Sequence, residues 1–314
     1  MKRIAAVFPG QGSQEVGMGK AMYETYPSVK ELFDRADEAL GYSLSTLMFE
    51  GPAETLTKTE NAQPALLLNS VAIQMVLEEE GIKPAMTAGH SLGEYSALVS
   101  AGALDPIDAV KLVHVRGKLM EEAFPTGKGT MAAVLGLDRS DIEKTLEGFD
   151  GDLTVDLANI NCPGQIVISG TKEGVDKASE KLSDAGAKRV LPLNVSGPFH
   201  SRLMKPASDE FAEYLNRIEV KDAQIPVYAN VTAAPVTDAR TIRNLLVEQL
   251  YSPVRFHEIL EAFVEEDVDA IVEVGHGKVL SGLVRKVKRR MKTFSIQDPD
   301  TMHAFLEWNK EESS

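Results

Sequence analysis

The chain has 314 residues, 43% of them hydrophobic, which suits a globular protein of about two domains with a sizeable core. Its 33 basic and 47 acidic residues leave a net charge of −14. That excludes general nucleic-acid or anionic-membrane binding, since both need an electropositive footprint, and any anionic ligand must meet a local positive site. The single cysteine, Cys162, excludes an intrachain disulfide framework and a thiolate metal set, so the expected compartment is the reducing cytoplasm.

Ile4 to Phe8 reads as a buried first strand; being broken at Pro9-Gly10, it is too short for a signal peptide or a membrane span. The turn Pro9-Gly10-Gln11-Gly12-Ser13-Gln14 invites a dinucleotide reading, which fails because Glu15 stands where the third glycine of the fingerprint belongs. A Gly-Gln-Gly loop at a strand's carboxyl end can instead offer a backbone N–H to an oxyanion. Helical patterns follow over Val29 to Leu40 and Pro64 to Glu80, the second entered through Asn61-Ala62-Gln63, whose glutamine faces either a site or solvent.

Ala85 to Ala88 reads as a short strand and Leu92 to Ala101 as a helix. Between them stands Gly89-His90-Ser91-Leu92-Gly93, a Gly-X-Ser-X-Gly sequence in the strand-turn-helix setting of a nucleophile elbow. The flanking glycines permit a sharp turn that lifts the Ser91 hydroxyl clear of the sheet, at the start of the next helix, where the Leu92 N–H faces an oxyanion. The alternative is a serine that only caps the helix.

Asp105 and Pro106 open the next helix, whose Ala109, Leu112, Val113 and Met120 share one face opposite Lys111, Lys118, Glu121 and Glu122. Arg116 falls in the middle of the apolar face. A buried guanidinium needs a partner, either an internal carboxylate or the carboxylate of a substrate.

From Gly129 the pattern changes: strand Met131 to Leu135, helix Arg139 to Glu147, strands Val155 to Asn159 and Gln165 to Ser169 around an Asn-Cys-Pro-Gly turn, helix Lys172 to Ala185, strand Arg189 to Val195. That βαββαβ order predicts a small ferredoxin-like domain over residues 128–196, inserted in a larger α/β domain formed by 1–127 and 197–314. At its exit, Gly197-Pro198-Phe199-His200-Ser201 puts His200 at a loop end on the ligand-binding edge, which makes it the preferred general base; the alternative is a structural loop histidine. His90 is expected to point away from Ser91, His114 lies on the polar helix face, and no histidine has zinc-ligand spacing. The rest alternates as strand Pro226 to Val231, helices Thr241 to Leu250 and Arg255 to Val264, strand Ala270 to Val274, helix Val279 to Arg290 and strand Thr293 to Ile296. The basic run Arg285, Lys286, Lys288, Arg289, Arg290 and Lys292 reads as a solvated helix end or as a docking patch for an acidic partner.

Six motifs now stand in order: Phe8 to Gln14, Gly89 to Glu94, the helix around Arg116, Pro198 to Ser201, Tyr228-Ala229-Asn230-Val231-Thr232 and Ser252-Pro253-Val254-Arg255-Phe256. Together they resemble malonyl-CoA:acyl carrier protein transacylases over essentially the whole chain. The resemblance implies an α/β-hydrolase-like domain with a mostly parallel sheet carrying the ferredoxin-like one, and transfer of malonyl from malonyl-CoA to the phosphopantetheine thiol of acyl carrier protein, supplying fatty-acid elongation. It implies Ser91 as nucleophile, His200 as base, Gln11 and Leu92 as oxyanion donors, Arg116 as partner of the malonyl carboxylate and the Gln249 carbonyl as support for His200. In the related polyketide acyltransferases the residue before the histidine is bulky in malonyl users and small in methylmalonyl users, so the resemblance implies that Phe199 favours malonyl. No cofactor or metal is expected, and a cytoplasmic monomer that docks the carrier protein near Arg285, Lys286, Lys288, Arg289 and Arg290. A serine thioesterase or a polyketide-pathway acyltransferase is the alternative. The late glycine motif of the family, usually Gly-Pro-Gly, reads Gly275-His276-Gly277 here, leaving open a polar contact of His276.

Overall fold

A computed structural model describes residues 2–311. The first strand, β1 (Ile4–Phe8), is wholly buried and lies at the centre of a six-stranded sheet. It pairs in parallel with β2 (Met86–Gly89) on one side. Six further strands follow in the chain before its other parallel neighbour, β9: β3 (Gly129–Leu135), β4 (Val155–Cys162), β5 (Gln165–Thr171), β6 (Arg189–Pro192), β7 (Val227–Tyr228) and β8 (Pro235–Val236) precede β9 (Ala270–Val274) and β10 (Thr293–Ile296). The large sheet runs β10-β9-β1-β2-β7-β8 and is parallel except for the edge strand β8.

Alternation along β1 explains why no residue of it is polar. Ile4, Ala6 and Phe8 enter one core with the helix Thr59–Glu79, while Ala5 and Val7 enter a second with Phe256, Ile259, Leu260 and Phe263. A parallel sheet covered on both faces needs apolar residues on both. The helix Thr59–Glu79 is buried on nearly every side, as its run of Ala, Leu, Val and Ile requires.

The second sheet, β4-β5-β3-β6, is antiparallel throughout, the strand order of a ferredoxin-like βαββαβ unit, with the helices Arg139–Thr145 and Lys172–Asp184 packed on it. Its core of Val134, Ile142, Ile168, Val175 and Leu182 is separate from the other two. The hairpin between β4 and β5 turns at Pro163-Gly164, with Gly164 at φ 71°. The two sheets are stitched together where the Ile160 N–H donates to the Val254 carbonyl and the Val254 N–H to that of Ala158, both at 2.8 Å.

Several boundaries differ from expectation. The long helix starts at Thr59, not Pro64; Pro64 is tolerated within it, and Asn61 and Gln63 are helical rather than in a loop. The helix from Val279 ends at Val287 instead of Arg290, β6 stops at Pro192, and the strand expected over Pro226 to Val231 contracts to Val227–Tyr228. Short helices at Lys20–Thr25, Leu44–Glu50 and Ala53–Thr57, and longer ones at Lys205–Leu215 and Pro299–Lys310, escape the periodicity reading. Among the described residues no helix is long and apolar enough to cross a membrane.

Candidate active site

β2 ends at Gly89 and the helix Gly93–Ser100 begins four residues later, so the chain must reverse within Gly89 to Gly93. The packing explains both glycines. A Cβ at Gly89 would lie 1.9 Å from the Gly93 carbonyl, and one at Gly93 would lie 2.0 Å from the Phe8 carbonyl oxygen. Gly10 is constrained in the same way, since its Cβ would meet the His90 carbonyl oxygen at 2.3 Å. These close approaches press the Pro9–Gln11 turn against the elbow and bring Gln11 and Leu92 to the cleft that holds Ser91. Ser91 itself is held at φ 52°, a left-handed conformation costly for a residue with a Cβ.

Ser91 Oγ lies 2.7 Å from His200 Nε2. His200 also adopts a positive φ, 58°, in a turn held by the Ser201 hydroxyl donating to the Pro198 carbonyl at 2.6 Å. Its other nitrogen, Nδ1, is 2.9 Å from the backbone carbonyl of Gln249, the last residue of the helix Ala239–Gln249. A carbonyl only accepts, so Nδ1 carries the proton and Nε2 offers its lone pair to Ser91. Burial, followed by the charge of Arg116, pulls the His200 pKa down to about 3, with the Gln249 carbonyl opposing.

Arg116 is 1% exposed and stands on the helix Pro106–Glu122 beside Gly117. That glycine lets the helix cross Thr59–Glu79 closely, for its Cβ would lie 2.5 Å from the Thr59 carbonyl oxygen. The crossing sets Arg116 against Gln63, whose Oε1 accepts from Nη1 at 2.7 Å. Nη2 donates to Gln249 Oε1 at 2.9 Å and to Ser91 Oγ at 3.1 Å. These partners are all neutral oxygens, Nε is buried without one, and Arg116 joins none of the ion pairs among the described residues. The internal carboxylate that would make it a structural cation is therefore not in contact with it. Burial lowers its pKa, and Tyr95, whose ring lies 5.2 Å from the guanidinium carbon, and Glu94 oppose the shift.

The cleft over these groups encloses about 420 Å³, a volume that suits a small acyl group and its carrier arm. Gln11, Leu92, Arg116, Phe199 and His200 all line it; Gln249 lies beneath, wholly buried. The structure thus gathers every residue singled out from the sequence except the basic run Arg285 to Lys292, which lies elsewhere on the surface and makes no ion pair among the described residues. His90 turns its Nε2 to Asn161 Oδ1 at 2.8 Å, away from Ser91. His114 is half-buried rather than on a solvated face, with Nδ1 2.8 Å from the Glu60 carbonyl. His276 meets Glu15 at 2.9 Å, which settles its polar contact. Among the described residues no group of three or more His, Cys, Asp or Glu is arranged to hold a metal ion.

Three residues enter the site without having been assigned to it. Gln63, which the sequence places toward either a site or solvent, holds Arg116. Asn230 accepts from the Ser91 N–H at 2.8 Å and donates to the Gly89 carbonyl at 2.7 Å, bracing the elbow. Glu94, 2% exposed, accepts from Gln249 Nε2 at 2.7 Å and from the Asn230 N–H at 3.1 Å. Burial raises its pKa to about 7 against the pull of Asn230, Gln249 and Arg116. The signal for Glu94 was present: an acid among Leu92, Tyr95, Ala97 and Leu98 on a short apolar helix has nowhere to reach solvent.

Comparison with known proteins agrees with this geometry. Residues 6–304 match the acyl transferase domain family. The malonyl CoA-acyl carrier protein transacylase of Bacillus subtilis is 54% identical, over 100% of this chain and 99% of the relative. A crystal structure of an acyl carrier protein S-malonyltransferase from Vibrio cholerae superposes with a TM-score of 0.92 at 45% identity, over 96% of this chain and 99% of that one. A malonyl-transacylase solved in complex with its type II PKS acyl-carrier protein gives 0.94 at 45% identity, over 98% and 100%. With a serine, a histidine and an unpaired buried arginine meeting in one cleft of this fold, the chain is an acyltransferase and belongs to the acyl transferase domain family, among the malonyl CoA-acyl carrier protein transacylases.

Proposed function

We propose that the enzyme moves a malonyl group from malonyl-CoA to the phosphopantetheine thiol of acyl carrier protein through a malonyl ester on Ser91. The observation that carries this reading is that Ser91 Oγ sits between His200 Nε2 at 2.7 Å and Arg116 Nη2 at 3.1 Å. A thioester carbon attacked by that oxygen has its free carboxylate only two bonds away, within reach of the guanidinium.

His200 Nε2 takes the Ser91 proton as the Oγ–C bond forms, and the N–H groups of Gln11 and Leu92 hold the tetrahedral oxyanion. Collapse breaks the C–S bond, and the proton on Nε2 passes to the departing coenzyme A sulfur. The carrier thiol then gives its proton to His200 and attacks the ester, and Ser91 Oγ recovers the proton as it leaves. Each proton and electron pair is accounted for by Ser91, His200 and the two thiols, so the scheme calls for no metal or nucleotide cofactor. Phe199 fills the wall beside the acyl group and favours malonyl over its methylated analogue, a discrimination worth about 1–3 kcal/mol.

At Nδ1, where a triad places its acid, stands the Gln249 carbonyl, and the substrate brings a negative charge of its own to Arg116. In the free site Arg116 depresses the His200 pKa, and only a carbonyl dipole supports Nδ1. A malonyl carboxylate on Arg116 cancels that charge and makes the imidazolium easier to form at the step that needs it. An acetyl group does not, which gives a second source of selectivity beyond binding.

We assign the enzyme to fatty-acid elongation as a cytoplasmic monomer, with the carrier protein docked on the basic run from Arg285 to Arg290. The deciding experiment records the intact mass after incubation with malonyl-CoA or acetyl-CoA without acceptor, then after adding holo carrier protein. A malonyl adduct, absent in Ser91→Ala and discharged onto the carrier, is expected. No adduct with free malonate accumulating would make the enzyme a hydrolase.

A further inference from the structure

Glu94 takes no part in the two half-reactions, yet a carboxylate 2% exposed and in no ion pair among the described residues is a poor choice for stability. A well-packed apolar residue there would avoid the cost of burying charge. Its hydrogen bonds all go to residues that touch the reacting groups. Oε2 accepts from Gln249 Nε2 at 2.7 Å and from the Asn230 N–H at 3.1 Å. Gln249 in turn offers Oε1 to Arg116 and its backbone carbonyl to His200, while Asn230 Oδ1 receives the Ser91 N–H.

An amide has two chemically different ends, and a carboxylate accepts without donating. Glu94 therefore draws the NH₂ of Gln249 inward, which leaves Oε1 toward Arg116. Nε2 also donates to the Ser91 carbonyl at 3.0 Å and to Asn230 Oδ1 at 3.3 Å, so Glu94 is the closest of three acceptors; without it the amide is held less firmly, and Gln249 Nε2 turns its donors toward the guanidinium more readily. An arginine facing donors is no longer held where a bound carboxylate meets it. We propose that Glu94 is a positioning residue for acyl selection: through Gln249 it aims the Arg116 fork and the His200 imidazole together, and through Asn230 it fixes the Ser91 backbone. The inference rests on the malonyl transfer proposed above.

The test uses the full-length enzyme with Glu94→Asp and Glu94→Gln, and measures the ratio of kcat/KM for malonyl-CoA to that for acetyl-CoA. A change that merely lowers the folded fraction scales both rates equally, so the ratio is blind to it. Aspartate keeps the charge but is one methylene short of Gln249 and Asn230; glutamine keeps an acceptor oxygen at full length. The expected result is a ratio lowered by about tenfold or more in Glu94→Asp and held within about threefold of the parent in Glu94→Gln, although its absolute rates fall. An unchanged ratio in Glu94→Asp overturns the proposal, and so does a ratio that collapses in Glu94→Gln, since charge rather than acceptor geometry would then matter. Failure of the unsubstituted enzyme to take a malonyl group overturns the proposed function instead, and is read on a different sample.

Discussion

Ser91 Oγ and His200 Nε2 meet at 2.7 Å across 109 residues of sequence, and both residues hold left-handed backbones, at φ 52° and 58°. Such conformations cost about 1–2 kcal/mol each for residues with a Cβ, and the surrounding structure imposes them. The strain is stored where the two side chains must leave their elements at steep angles. Removing either group should then cost chemistry and leave binding alone. Ser91→Ala should form no acyl adduct, and His200→Ala should lower kcat by about 10⁴-fold or more with little change in KM, measured by single-turnover acylation.

In the proposed mechanism Arg116 sets both substrate class and base strength. Arg116→Ala should cost malonyl transfer about 2–5 kcal/mol by leaving the carboxylate unpaired, and should reverse the preference over acetyl. The same change removes the second-largest cause of the low His200 pKa while burial, the largest, remains. The acid limb of kcat/KM for acetyl transfer should accordingly move up from about pH 3 and stop short of 6.5. Retained malonyl preference in Arg116→Ala would remove the assigned role.

Stability should respond to pH through groups of opposite sign, Glu94 and His200 chief among them. Glu94, raised from 4.5 to about 7, contributes stability that is present below pH 4.5 and lost as pH rises through about 7. His200, lowered from 6.5 to about 3, contributes stability that is present above pH 6.5 and lost as pH falls through about 3. Between pH 4.5 and 6.5 their slopes oppose, each at most about 1.4 kcal/mol per pH unit, while half-buried His90, also lowered, acts in the direction of His200 and buried Glu273, raised by burial, in that of Glu94. Glu94→Gln removes one of the two buried carboxyls on its side of the balance and leaves Glu273. Its unfolding free energy in urea should rise more steeply with pH over that range than the parent's, and parallel curves would contradict the assignment.

The parts of this site that were legible in the sequence are those with local signals. The elbow announces itself through two glycines and a serine, Arg116 through a charge on an apolar helix face, and the small sheet through alternation and a Pro-Gly turn. Gln249 as support for His200 came only from resemblance, because a backbone carbonyl leaves no mark on residue identity. The start of the long helix at Thr59 was hidden by Pro64, which reads as a boundary and is instead accommodated inside the helix. Gln63 was ambiguous for that reason: its partner, Arg116, lies 53 residues on, and only the crossing at Gly117 joins them. Asn230 and Glu94 stood in quoted motifs, but nothing local shows that they bond to each other.

The proposed docking patch, the basic run, lies outside the cleft. Lys288, Arg289 and Arg290 follow the helix Val279–Val287, are exposed and join no ion pair among the described residues, whereas Arg285 and Lys286 are bonded to Thr293 and Gln165. Cations clustered without acidic partners form a local positive field in a chain of net charge −14, and that field attracts an acidic partner over about a Debye length. Reversing Lys288, Arg289 and Arg290 to glutamate removes that attraction without disturbing the bonded pair. KM for the carrier protein should rise about tenfold at low salt and approach the parent value near 0.5 M, because screening abolishes long-range steering in both proteins. Acylation by malonyl-CoA, measured without carrier on the same variant, should be unaltered if the patch recognises protein alone. A parent-like carrier KM at low salt would place the docking surface elsewhere, and an equal loss with malonyl-CoA would mean that the patch attracts the phosphates of coenzyme A.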